Sequence, residues 1–269
     1  MRQMKVCVLV VLGLIVATAA HAQGSPPGSP EGQQGDRQPP APLAQPRPRP
    51  DFLFGPPKGS VGIRGNWLFA RAQSDWFSFV TDELTLDAKD FNAPGFAADV
   101  SIALSRRADA VIGLEFSQSS TASEYRDFVD NDRLPINQTT RLRTFDMTGS
   151  VKLALLGKGV QVSRLAWVPR QFIPYVGAGG GLLRYDLEQT GDFIDYTDFS
   201  VFGSAFRSSG WTPLVQAFGG VDVRVLKRVY VTLDARYQWA KGTLDDTWID
   251  FDPIDLAGFK LAAGASLVF

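Results

Sequence analysis

The run Val229-Tyr230-Val231-Thr232-Leu233-Asp234-Ala235-Arg236-Tyr237-Gln238-Trp239 alternates without a break. Val229, Val231, Leu233, Ala235, Tyr237 and Trp239 share one face of an extended chain. Thr232, Asp234, Arg236 and Gln238 share the other, because successive strand side chains point to opposite sides. The period is two, so the segment reads as a strand with one oily face and one ionic face.

The same pattern recurs in both directions along the chain. C-terminally, Phe259, Leu261, Ala263, Ala265, Leu267 and Phe269 alternate with Lys260, Gly264 and Ser266. On the N-terminal side, Val215, Ala217, Val221, Val223 and Val225 oppose Gln216, Asp222 and Arg224. Pro174 to Glu188 is Gly-rich and predicts Tyr175, Leu183 and Tyr185 outward, with Arg184 and Asp186 inward. Four earlier runs complete the set. They are Val61 to Phe69 around Arg64, Phe96 to Leu104 around Asp99, Ala110 to Phe116 around Glu115, and Phe145 to Leu155 around Asp146 and Lys152. Links between these eight runs alternate in length: Ser105–Ala108 and Lys227-Arg228 are short, the fourth-to-fifth link from Gly157 to Phe172 is longer, and those after the first, third, fifth and seventh runs run to a dozen or more residues.

A sandwich of two sheets also alternates, but its inner faces are dry. Here one face carries Asp99, Glu115, Asp146, Asp186, Asp222 and Asp234 against Arg64, Lys152, Arg184, Arg224, Arg236 and Lys260. A dry core would bury these charges at great cost. Inside a closed ring they can pair with one another, while the apolar face meets lipid. Aromatic residues cluster near the ends of the oily stripes: Trp67, Phe69, Phe96, Tyr185, Tyr237, Trp239 and Phe259 toward the long loops, Tyr175 toward the short turns. Those are the positions of an aromatic girdle at membrane interfaces. The expected fold is therefore all-β, an eight-stranded antiparallel up-and-down transmembrane barrel.

The stripe ending Ala265, Leu267, Phe269 resembles the C-terminal assembly signal of outer-membrane barrel proteins, an aromatic last residue after alternating hydrophobics. Together with Pro174-Tyr175-Val176-Gly177-Ala178-Gly179-Gly180-Gly181 and Ala235-Arg236-Tyr237, the stretch from Gly59 to Phe269 resembles the broad family of outer-membrane β-barrel domains, the OmpA, OmpX and OmpW types. The resemblance implies location in a bacterial outer membrane and partners in outer-membrane lipid, lipopolysaccharide and the barrel assembly machinery. An even strand count would place both ends of the barrel chain on the periplasmic side. The family shares no catalytic residues that could be carried over.

The N-terminus fits export. Arg2 and Lys5 precede the apolar run Val6 to Val16, and Ala20-His21-Ala22 is a small-x-small cleavage site, so residues 1–22 read as a signal peptide. Residues 23–58, rich in Pro, Gly and Gln, predict a disordered periplasmic linker, and residues 59–269 the barrel.

Little in the chain suggests chemistry. Its one cysteine, Cys7, and one histidine, His21, both fall in the signal peptide, so the mature protein would lack a thiol nucleophile and an imidazole base. No enzyme activity, cofactor or metal site is expected. The net charge of −1 gives no reason to invoke nucleic acid. The Gly177–Gly181 cluster lacks the Lys-Ser/Thr pair of a phosphate loop.

Charge is nonetheless polarised. The long loops hold acids such as Asp82, Glu83, Glu124, Asp127, Asp195 and Asp252, interleaved with aromatics such as Trp76, Phe77, Phe206 and Trp248 that would pack together above the barrel. The short-turn rim carries Arg106, Arg107, Lys158, Arg164, Arg170, Lys227 and Arg228 instead. Inward Phe218 and Leu182 add bulk to the interior. The reading is a structural or surface-interaction barrel with an interior filled by balanced charges. The alternatives are a conduit for small hydrophobic molecules and an adhesin or receptor acting through its long loops.

Overall fold

A computed structural model of the chain describes residues 52–130, 132–245, 248 and 250–269. The expected signal peptide, its expected cleavage site at Ala20 and Ala22, and most of the expected linker lie outside the described residues. Eleven strands and two short helices occur among those described. The strands are β1 (Gly59–Ala70), β2 (Ala93–Ala103), β3 (Ala108–Val129), β4 (Pro135–Ala154), β5 (Gly159–Ser163), β6 (Ala166–Pro169), β7 (Phe172–Ile194), β8 (Val201–Arg224), β9 (Val229–Gly242), β10 (Ile254–Asp255) and β11 (Gly258–Val268). An α-helix, α1 (Asp75–Glu83), and a single 3-10 turn at Ala88–Phe91 occupy the β1–β2 loop.

Eight of these strands close a ring. Each of β1, β2, β3, β4, β7, β8, β9 and β11 pairs antiparallel with the next, and β11 returns to β1 from Ser60↔Val268 to Ala70↔Gly258. The ring is an up-and-down barrel, and its first and last strands meet at the rim of the short turns.

Outside, the alternation puts apolar groups into the surroundings. Ile63, Val100, Ile112, Val151, Leu233 and Leu261 are all exposed at mid-height. Phe96, Phe116 and Phe145 lie side by side across β2, β3 and β4, continued by Arg184 and Trp211. Farther round, Phe69, Phe259 and Tyr237 form the matching row across β1, β11 and β9. Below these rows each strand carries about nine residues of apolar exterior, the length a tilted strand needs to cross hydrocarbon. No helix among the described residues is long and apolar enough to cross a membrane.

The expected phase of one strand is reversed. In β7 the inward residues are Tyr175, Gly177, Gly179, Gly181, Leu183 and Tyr185, while Leu182, Arg184 and Asp186 point outward. Leu183 is 0% exposed and Leu182 50%. Glycine on the inner face suits this phase, because a side chain at Gly177 would collide with the Phe218 ring and one at Gly179 or Gly181 with the facing backbone of β4. Arg184 and Asp186 bear no cost outside, because they sit in and beyond the aromatic row rather than at mid-membrane.

Four strands are also longer than the alternation suggests. β3, β4, β7 and β8 continue past the aromatic rows to pairs such as Gln138↔Gly191 and Ile194↔Val201. There the outer face is polar, as in Arg141, Glu188 and Arg207, so the oily signature disappears while strand pairing continues. Two further differences lie at the short-turn end. The β4–β7 connection folds into the hairpin β5–β6, and Leu53, expected within the disordered linker, exchanges backbone hydrogen bonds with Trp167 at 2.8 and 2.9 Å.

The phase of β7 is directly testable. Ala178→Arg places a guanidinium in hydrocarbon at mid-depth and is expected to lower stability by roughly 2–4 kcal/mol. Arg184→Leu, at the interface, should change it by less than about 1 kcal/mol. Urea titration of protein refolded into phospholipid vesicles measures both.

Candidate functional site

The barrel interior is built in tiers. At mid-height sits Lys260, only 2% exposed, between two carboxylates of the opposite wall. Its ammonium donates to Asp146 Oδ2 at 2.9 Å and also to Glu115 Oε1. β11, β3 and β4 supply these groups, so the cluster ties the last strand to the middle of the chain. An ammonium in such a site is tolerable because it is paired twice, charge to charge.

Next to it lies an arginine–aspartate cluster. Arg64 donates through Nη1 to Asp234 at 2.7 Å and places Nη2 3.3 Å from Asp99. Arg236 Nη2 lies 3.6 Å from the same Asp234 oxygen, and its Nη1 donates to Gln216 at 3.1 Å. The Arg236 guanidinium also stands 4.9 Å from the centre of the Phe218 ring. Toward the short turns, Lys152 bonds Asp222 at 2.6 Å and lies 3.7 Å from the centre of the Tyr175 ring. Asp222 accepts a further hydrogen bond from Thr232 at 2.8 Å.

Of the twelve charges expected inside, the structure thus brings Arg64, Asp99, Glu115, Asp146, Lys152, Asp222, Asp234, Arg236 and Lys260 into paired contact. Arg224 shares the inner face of β8 with Asp222 and is half-buried. Arg184 and Asp186 stand outside; Arg184 lies 5.8 Å from the centre of the Trp211 ring. Of the expected girdle, Trp67, Phe69, Phe96, Tyr237, Trp239 and Phe259 face outward. Tyr175 and Tyr185 do not, at 2% and 1% exposure. Phe269, Leu267 and Ala265 lie on the outer face of the closing strand.

Among the ionic contacts that escaped the sequence, one lies at the barrel's short-turn end. Asp109 at the start of β3 accepts from Lys158, just before β5. Asp109 stands on the inner face of its strand, two residues from Val111, so parity could have found it; its partner on a connecting segment could not have been found that way.

Above the ionic tier the interior is apolar. Trp76, Phe77 and Val80 of α1 descend into the mouth and meet Leu183, Tyr185, Leu187 and Leu214 of the barrel wall. Trp248 closes the cluster from the last loop, its ring 5.9 Å from that of Trp76. The Tyr185 hydroxyl donates to the carbonyl of Thr243, so even the polar end of that side chain is satisfied. The loop aromatics do pack on one another as expected, but they do so inside the mouth as well as above it. This is why Leu183 and Tyr185 face inward. Bordered by the lower ionic pairs, a cavity of about 100 Å³ lies toward the short turns, lined among others by Arg64, Lys152, Trp167, Tyr175 and Phe218. Among the described residues no group of three or more His, Cys, Asp or Glu side chains is placed to hold a metal ion.

The twice-paired lysine gives a sharp expectation. Lys260→Met strands two buried carboxylates and should cost about 3–5 kcal/mol. Adding Glu115→Gln and Asp146→Asn to the same chain should recover most of that loss, as read from urea unfolding in vesicles.

No family model and no curated protein matches this chain. Solved structures similar to it include Neisserial surface protein A, with a TM-score of 0.45 and 11% identity over 78% of this chain and 97% of that one. Ail, the attachment invasion locus protein of Yersinia pestis, gives 0.39 and 12% over 79% and 100%. The outer membrane protein AlkL, solved in lipid bilayers, gives 0.34 and 13% over 80% and 92%. The ring closure, lipid-facing belt and filled interior rest on this chain's own residues, and by them it is an eight-stranded antiparallel up-and-down transmembrane β-barrel.

Proposed function

We propose that the protein is an integral barrel of a bacterial outer membrane that does not conduct, and that its working part is the sheet standing beyond the lipid belt. The observation that carries this reading is the inequality of the wall. β3, β4, β7 and β8 are 22, 20, 23 and 24 residues long, whereas β1, β2, β9 and β11 are 12, 11, 14 and 11. One half of the barrel therefore rises well above the other as an ordered, strand-paired surface. Its outer face carries Arg141, Glu188 and Arg207 in one row, with Glu188 3.3 Å from Arg141 and 2.5 Å from Arg207. Exposed Phe199 and Phe202 lie at its tip. Mixed charge with solvent-exposed aromatics suits contact with a macromolecule better than catalysis.

In this reading the long loops face outward, toward lipopolysaccharide, and both ends of the barrel chain face the periplasm. The terminal stripe through Ala265, Leu267 and Phe269 serves the assembly machinery. The two plugs argue against the conduit. A solute would have to displace α1 and then separate Lys260 from both its carboxylates.

Two measurements test the proposal. Refolded protein in planar bilayers is expected to be electrically silent; discrete openings would overturn the closed-barrel reading. Removing residues 195–204 from the β7–β8 tip should leave heat-modifiable migration and membrane assembly intact while abolishing binding of whole cells to host or abiotic surfaces. Unchanged binding would reject the surface role.

A further inference from the structure

The short-turn end combines exposed apolar side chains with cations in a repeated local order. In the β2–β3 turn, Leu104 precedes Arg106-Arg107, and after β8, Val225-Leu226 precedes Lys227-Arg228; after β4, Leu155-Leu156 precedes Lys158, whose ammonium turns inward onto Asp109. Leu104, Leu155, Leu156, Val225 and Leu226 are all exposed. These sites lie on separate turns around one rim, so the order is not a property of one segment.

The β5–β6 hairpin extends the same character. Val160 pairs with Val168, which puts both on one face of the hairpin; both are exposed, as is Val162 at the irregularity between Gln161 and Ser163. The other face carries Trp167, which is buried and lines the cavity. Leu53 adds to the β6 edge opposite Trp167, leaving Phe54, 81% exposed, on the apolar side. Arg164 and Leu165 form the exposed tip, and Arg170 follows the hairpin.

Acidic groups are withdrawn from this surface. Among the described residues, Asp109 and Asp222 are the side-chain acids on the strand ends here, and they are turned inward onto Lys158 and Lys152. The exposed charge of the rim is thus positive, while the opposite loops are acidic. The hairpin joins the lipid-facing wall next to Leu155 and Phe172, both of them exposed apolar residues.

We propose that the short-turn rim is a docking surface for anionic phospholipid headgroups, with the β5–β6 hairpin lying at the boundary between headgroups and acyl chains. The occupant follows from two observations: charge complementarity with a negative surface, and continuity with a face that already meets hydrocarbon. A segment with a valine face and flanking basic side chains is what an interfacial element requires. The proposal rests on the barrel being bilayer-embedded.

The test uses the full chain in nanodiscs of phosphatidylethanolamine and phosphatidylglycerol. Lipid retained on release into detergent is measured by native mass spectrometry. Phosphatidylglycerol should be enriched over the bulk ratio, and the Arg106→Gln, Arg107→Gln, Lys227→Gln, Arg228→Gln variant should lose that enrichment by roughly tenfold. Separately, a spin label at Val162→Cys, with Cys7→Ser, should be more accessible to oxygen than to a water-soluble nickel relaxant. No enrichment, equal enrichment in the variant, or a label in bulk water would each overturn the proposal, the last pointing to a soluble partner instead. Failure of the protein to insert into bilayers at all would instead overturn the barrel reading, which heat-modifiable migration reports independently.

Discussion

Hydrocarbon offers no hydrogen-bond partners, so a spanning sheet cannot leave an edge. That constraint governs the whole molecule through one contact, the pairing of β1 with β11 along their full lengths. Without it, two strands' worth of backbone would face lipid unpaired. With it, every strand has an inside and an outside, and the side chains sort accordingly. The small diameter that eight strands impose then decides what the inside can be: side chains fill it, and charges within it have neighbours rather than bulk water.

The filling is uneven for a physical reason. Midway down, Lys260, Glu115 and Asp146 are far from solvent, so each must be matched by opposite charge. Nearer the long-loop mouth, the wall turns to Leu183, Tyr185, Leu187 and Leu214, and only an apolar partner fits there. The amphipathic helix α1 supplies it. The β1–β2 loop is therefore structural in its buried half, as are Leu142, Tyr185 and Leu187 on the inner faces of the tall strands, whereas the outer faces above the aromatic row carry exposed charge.

The strand positions, the closed ring and most of the inner charges could be read from alternation alone, because lipid on one side and ions on the other make period two conspicuous. Alternation failed where both faces were of one kind. In β7 the inner face is glycine followed by apolar groups that join the plug, and the outer face above the belt is charged, so the polarity rule pointed the wrong way for Tyr175, Leu183, Arg184, Tyr185 and Asp186. In the upper parts of β3, β4 and β8 water replaces lipid outside, and the contrast between faces is lost although pairing persists. The Asp109–Lys158 contact was illegible because one partner lies off the strands.

The pair of hydrogen bonds between Leu53 and Trp167 joins the barrel's approach segment to a hairpin, not to the ring. Tension arriving from the N-terminal side would meet that pair before it met β1. Those two bonds would take the load at the hairpin edge, whereas β1 is held along both sides by β2 and β11, so the ring would keep its pairing while the hairpin edge came away.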